Sequence, residues 1–275
     1  MYINNLKKIA FIKYGGFASG GTEVSFQTVA KHLSETYAVD YYYCDATPYI
    51  GSDYIHAPTD VFRKNYLENS KVNVIKFNVE FKDLTVRTHN WVNTNFWELF
   101  DENKYSLILS TTAGPPEYPF IEITETPIIN ILTLGAGVSN QENICKTVLI
   151  SEFSQKKWIK DGGIEGKSIV IPLVREGIPK LEDDFRKELS IENKFIFGFH
   201  QREADDIFSN VPLESYQKIE QEGNFFLLLG GSVLYQKQAE KLGLKNFLRL
   251  DSSSDVEILN KFLNTLDVYT HGRKY

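Results

Sequence analysis

Short apolar runs alternate with stretches of helical periodicity along almost the whole chain, and this alternation restricts the fold more than any other feature. The runs Lys8–Lys13, Val39–Cys44, Val72–Phe77, Ser106–Ser110, Ile128–Leu132, Val148–Ile150 and Ile169–Ile171 read as strands. Glu23–Glu35, Asn95–Glu102 and Glu152–Lys160 read as helices between them, and Tyr49–Ser70 as loop with room for one helix. Strands separated by helices signal βαβ units and a mainly parallel sheet.

A second series follows Pro172. Its strands are Phe195–Phe199, Phe225–Leu229, Phe247–Leu250 and Val268–Tyr269; its helices are Leu181–Leu189, Pro212–Gln221, Val233–Leu242 and Asp255–Leu266. The stretch Pro172–Lys180, with Gly177 and Pro179, reads as a hinge between α/β units over 1–172 and 173–275. The second series stops on a strand with no crossover helix after it. A C-terminal unit incomplete relative to its fold is therefore expected, and an uncovered apolar strand edge predicts self-association.

Between the first strand and first helix lies Gly15-Gly16-Phe17-Ala18-Ser19-Gly20-Gly21-Thr22-Glu23. Strand, glycine loop and helix together aim backbone N–H groups at an anion, and glycine permits close approach. A P-loop would need lysine where Gly21 stands, and a dinucleotide fingerprint would need glycine at Phe17. Asp45, at the end of the next strand, keeps the dinucleotide reading open. A third reading makes Gly20-Gly21-Thr22-Glu23 the working part, with Thr22 as helix cap. A tight turn without a ligand is the plain alternative.

The 275 residues carry a net charge of −6 and are 42% hydrophobic. That balance argues against general nucleic-acid binding and allows a substantial core. Cys44 and Cys145 make neither a disulfide framework nor a metal set, which fits a reducing, cytoplasmic setting. No run reaches the ~18–20 apolar residues that a bilayer requires. Lys156-Lys157-Trp158-Ile159-Lys160 keeps peripheral membrane contact open, although a solvated helix face with Trp158 turned inward is the commoner meaning.

Several segments, taken in order, resemble the retaining GT-B glycosyltransferases of family four. The turn Gly20-Gly21-Thr22-Glu23 with Val29-Ala30-Lys31-His32-Leu33 resembles that family's first loop and helix. Ile150–Ser154 followed by Ile169–Leu173 resembles the end of its acceptor domain, and Phe197–Arg202 its first donor-domain strand and arginine. Leu229-Gly230-Gly231-Ser232 resembles the next glycine turn, and Leu266–His271 the strand before the acidic loop.

The resemblance implies two Rossmann-like doubly wound domains, a nucleotide-diphosphate sugar as donor and an unidentified glycan, lipid or protein acceptor. No metal or other cofactor is implied. It assigns donor or substrate contacts to Gly16, Gly20, Gly21, Thr22, Arg202, Ser209, Gly230 and Gly231. By that resemblance Arg202 is the residue expected to grip the diphosphate. The family's lysine after that arginine is missing, and Ser209 is the candidate for part of its contact. The paired-glutamate motif is absent before Tyr275, and no catalytic residue is assigned. A non-catalytic nucleotide-sugar or glycan-binding module and an NAD-dependent oxidoreductase are the competing functions. Weaker candidates are Thr111-Thr112, His32, His56, His89, His271 and Arg273.

Overall fold

The first strand, β1 (Lys8–Ile12), divides its side chains between two cores. Ile9 and Phe11 pack with Phe26 and Ala30 on one side; Ala10 and Ile12 pack with Tyr42 and Ile108 on the other. Apolar residues at consecutive positions are what a strand covered on both faces requires. The computed structural model describes residues 7–13, 17, 20–44, 46–47, 55–56, 60–81, 91–112, 122–133, 137–176, 182–253 and 255–270. Two compact units emerge, Met1–Glu176 and Gly177–Tyr275. The break falls four residues beyond the expected Pro172, because the segment after it packs on the first unit. Val174 N–H donates to Ser25 Oγ at 2.9 Å, and Glu176 pairs with Lys31 at 2.9 Å.

In the first unit β1 is joined by β2 (Ala38–Tyr43), β3 (Asn73–Lys76), β4 (Leu107–Thr112), β5 (Ile128–Leu132), β6 (Ile144–Leu149) and β7 (Ser168–Val170). These seven strands run parallel in the order β7-β6-β5-β4-β1-β2-β3. The order reverses at β1 and β4, and such a switch opens a crevice at the strands' carboxyl ends. Helices α1 (Gly21–Leu33) and α2 (Val61–Glu68) cover the Ile9 face through Phe26, Ala30 and Leu67. Phe96 on the short α3 (Phe96–Leu99) fills the other face, and Trp158 on α4 (Glu152–Lys160) packs on Leu132 and Leu149.

The second unit contains β8 (Phe195–Gln201), β9 (Asn224–Gly230), β10 (Phe247–Leu250) and β11 (Val268–Tyr269), parallel in the order β10-β9-β8-β11. Its helices α5 (Val211–Gln217) and α6 (Leu234–Leu242) pack on the face of Phe199 and Leu228. Helix α7 (Val256–Thr265) packs on the face of Ile196 and Leu227. Beside β11, an apolar cavity of about 250 Å³ is lined by Phe197, Val211, Pro212, Tyr216, Ile219 and Val268, among others.

Two expected helices change. Residues 182–184 are irregular and 185–190 form a turn, not the helix expected over Leu181–Leu189; Leu181 itself lies outside the described residues. Their polar groups take one distant and one local partner in place of helical ones. Phe185 N–H donates to Thr265 Oγ1 at 2.8 Å, and Asp184 Oδ1 accepts from Arg186 N–H at 2.8 Å. Ser190 then takes the left-handed conformation, φ 56°, which ends the turn. The helix expected over Asn95–Glu102 shrinks to the single turn of α3, because Phe100 is extended.

Candidate functional site

The first unit's candidate site is built on the carboxyl ends of β1, β4 and β5 beneath the start of α1. Gly20, with φ −63° and ψ 153°, is the N-cap residue and α1 begins at Gly21. Thr22 is therefore inside the helix and does not cap it, contrary to the sequence reading. Its hydroxyl instead donates to Thr133 Oγ1, just beyond β5, at 3.0 Å. Gly20 and Gly21 are exposed, and a Cβ at Gly21 would meet nothing within 4 Å among the described residues. Lys13, following β1, pairs with Glu23 at 3.2 Å. Gly16 lies outside the described residues, as do Asp45, His89, His271 and Arg273.

In the second unit the loops after β8 and β9 are tied together. Arg202, the residue after β8, pairs with Asp206 at 2.7 Å, and its side chain is 53% exposed. The next carboxylate, Glu203, accepts from Arg249 at 2.6 Å and from Ser252 N–H at 3.3 Å. Asp205 accepts from the Ser232 hydroxyl, which in turn accepts from Leu234 N–H at the start of α6. Arg202 is thus the outward-facing cation of a braced loop. Ser209, by contrast, is buried: its Oγ accepts from Val211 N–H at 3.3 Å and its N–H donates to Tyr235 Oη at 3.2 Å.

Gly230 and Gly231 both have positive φ, 72° and 73°. A Cβ on Gly230 would stand 2.4 Å from the Gln201 carbonyl oxygen, and Gly231 N–H donates to that same oxygen at 2.7 Å. The pair is required by the turn itself, since few residues other than glycine take this conformation. Arg249 reads the turn from below, donating from Nε and Nη2 to the Gly231 carbonyl.

The other sequence candidates scatter. His32 is exposed on α1, 3.6 Å from Glu176, and Trp158 is buried. Thr111 is buried on β4, and among the described residues its hydroxyl has no hydrogen-bond partner. Sequence reasoning passed over Lys13 and Arg249, whose roles depend on partners distant in the chain. Among the described residues, no group of three or more His, Cys, Asp or Glu side chains could hold a metal ion, and no helix is long and apolar enough to cross a membrane.

A second polar cluster sits at the opposite end of the first sheet. Asp40, buried on β2, accepts from Lys8 at 2.7 Å, Tyr105 at 2.6 Å and Asn73 at 2.9 Å. Burial pushes the Tyr105 phenol far up, so it stays a proton donor to that carboxylate. The cluster lies away from the carboxyl ends and serves the framework.

No family model matches this chain, and no curated protein matches it. Solved structures do. Anabaena HepE in complex with UDP and glucose superposes with a TM-score of 0.63 at 18% identity, over 97% of this chain and 74% of that one. A glycosyltransferase from Rickettsia africae gives 0.60 at 13% identity, over 94% of this chain and 72% of that one. UDP-N-acetylglucosamine 2-epimerase from Rickettsia bellii gives 0.54 at 13% identity, over 96% and 73%. The chain therefore has the α/β fold of GT-B glycosyltransferases, with parallel sheets in each unit.

Proposed function

We propose that this chain is a nucleotide-sugar-dependent glycosyltransferase that moves a sugar from a nucleoside diphosphate to an acceptor hydroxyl with retention at the anomeric carbon. The observation that carries this reading is the fold match over 97% of the chain to a protein held in complex with UDP and glucose. In this reading, 1–172 is the acceptor-side domain and 173–275 the donor domain.

Breaking the bond from the anomeric carbon to the diphosphate leaves negative charge on the leaving oxygens. Prearranged donors facing those oxygens lower the barrier. Arg202 follows β8, beside the point where the strand order reverses, which is where such sheets take ligands. Its planar fork can bond two phosphate oxygens. The existing partner, Asp206, is no obstacle. Exposed ion pairs are worth only about 0–1 kcal/mol, so a diphosphate can displace it. Ser209, buried and committed to Val211, would need rearrangement to take up the missing lysine's contact.

A second reading is favoured by the epimerase match: the fold also serves an enzyme named for UDP-N-acetylglucosamine 2-epimerisation. A product assay on the full chain with UDP-glucose and UDP-N-acetylglucosamine separates the readings. Sugar transferred to an added glycan, lipid or peptide with stoichiometric UDP release supports the transferase. Conversion to a 2-epimer supports the second reading. UDP binding without either product supports a non-catalytic module, and NAD binding without UDP binding supports the oxidoreductase.

A further inference from the structure

Helix α4 turns one side to the first sheet and a differently built side to solvent. Trp158 is committed to the core, packed on Leu132 and Leu149. Ser151 and Ser154 cap the start of the helix reciprocally. Ser154 N–H donates to Ser151 Oγ at 3.2 Å, and Ser151 N–H donates to Ser154 Oγ at 3.1 Å. That pairing fixes the first turn, and with it the direction of Phe153. At 80%, Phe153 is more exposed than any other large apolar side chain among the described residues.

Counted from Phe153, Lys156, Lys157 and Lys160 stand at i+3, i+4 and i+7, which places all four on one helix face. The three lysines are exposed. Trp158, at i+5, looks the other way. Lys157 pairs with Asp161 at 2.5 Å. Such exposed pairs are weak, so the ammonium can exchange Asp161 for another anion. Lys156 and Lys160 form no ion pair among the described residues. The nearest carboxylates in the chain, Glu152 and Asp161, lie at the two ends of the ridge. Three cations thus stand together on a chain of net charge −6.

A lone exposed phenylalanine is ordinary, and so are lysines on a solvated helix. Their combination on one face is what points to a partner. An outward helix face is convex, and it suits a flat surface that takes an aromatic ring below a layer of anionic oxygens. Lysine stems are long enough for the ammonium groups to stay among those oxygens while the ring goes deeper. We propose that the Phe153–Lys160 face of α4 docks this protein on an anionic lipid bilayer, with Phe153 entering the interface and Lys156, Lys157 and Lys160 meeting lipid phosphates. The aromatic anchor is Phe153, and not the Trp158 at the centre of the lysine cluster. Each lysine adds a modest, screened attraction, so the docking is reversible and salt-sensitive.

Flotation of the full chain with vesicles tests this, using phosphatidylcholine alone and phosphatidylcholine mixed with phosphatidylglycerol. The wild type is expected to float with the mixed vesicles, to stay behind with phosphatidylcholine alone, and to be released by high salt. A double Lys156→Gln, Lys160→Gln variant is expected to bind the mixed vesicles about tenfold more weakly, whereas the double change to Arg keeps the affinity. Phe153→Ser is expected to weaken binding several-fold with the melting temperature unchanged, since the side chain is outside the core. Phe153→Trp adds a positive readout: its extra fluorescence should shift to the blue on mixed vesicles only. No flotation of the wild type, equal binding to both kinds of vesicle, or unchanged binding in the Gln and Ser variants overturns the proposal. Binding to soluble polyglutamate without binding to vesicles also overturns it and assigns the face to an acidic protein. UDP binding is untouched by these outcomes, so the transferase reading stands or falls separately.

Discussion

At the scale of single residues, glycines that look alike in the sequence do different jobs. Gly21 has ordinary backbone angles and open space where a side chain would go. Gly21→Val is therefore expected to leave the melting temperature nearly unchanged while blocking ligand approach, and a melting scan paired with a UDP-glucose titration checks both halves. Gly230 is the reverse, with positive φ and the Gln201 carbonyl where its Cβ would be. Gly230→Ala should cost about 1–3 kcal/mol of stability in chemical denaturation. The sequence displays both glycine pairs but not this distinction, because φ and the opposing carbonyl belong to the folded turn. Arg202 was legible from its place after a strand. Its partner Asp206 was not, since Glu203 and Asp205 are nearer to it in sequence. Replacing Arg202 by Ala should lower turnover by about 10²–10³, corresponding to ~2.7–4 kcal/mol in the transition state. Its exposed pair with Asp206 should contribute little to stability, so the melting temperature should hold.

At the scale of elements, the strands were the most legible part of the chain. Ile128–Leu132, Phe247–Leu250 and Val268–Tyr269 fall where the apolar runs place them. The segment at 182–190 was misread because Phe185 and Leu189 imitate a helical face while their surroundings bond elsewhere. Arg186 joins the Lys194 and Thr265 carbonyls to Asp267, which also accepts from Ile196 N–H at 2.7 Å. Burial alone would raise the Asp267 carboxyl, but the Ile196 N–H and the Arg186 guanidinium outweigh it and hold the group below its usual range. A depressed carboxylate stabilises the fold above its unfolded pKa of about 3.9, and the contribution is lost as pH falls through the lower folded value. Asp267→Asn should therefore destabilise the second unit by about 1–3 kcal/mol at neutral pH. The difference from wild type should shrink in denaturation curves taken below pH ~4; a constant difference across that range would show that the charge is irrelevant.

At the scale of the whole molecule, both units repeat one scheme, a strand order that reverses beside the first strand of each unit. That scheme follows from alternating strands and helices, which is why the fold class could be read from the chain. The polar arrangement of each site could not, because Lys13 meets Glu23, and Thr22 meets Thr133, only after α1 has packed on the sheet. The second sheet ends, among the described residues, at β11, where Val268 and Tyr269 are 37% and 45% exposed beside the apolar cavity. An edge of this kind invites pairing with another chain. Self-association that grows with concentration is expected in sedimentation; a monomer across the accessible range would argue against it. The central claim is that the second unit grips a nucleoside diphosphate through Arg202. Titrating UDP into the wild type and the Arg202→Ala variant tests it most directly. Saturable binding by the wild type, weakened at least tenfold in the variant, is the predicted result; equal affinity in both proteins, or no binding by the wild type, would contradict it.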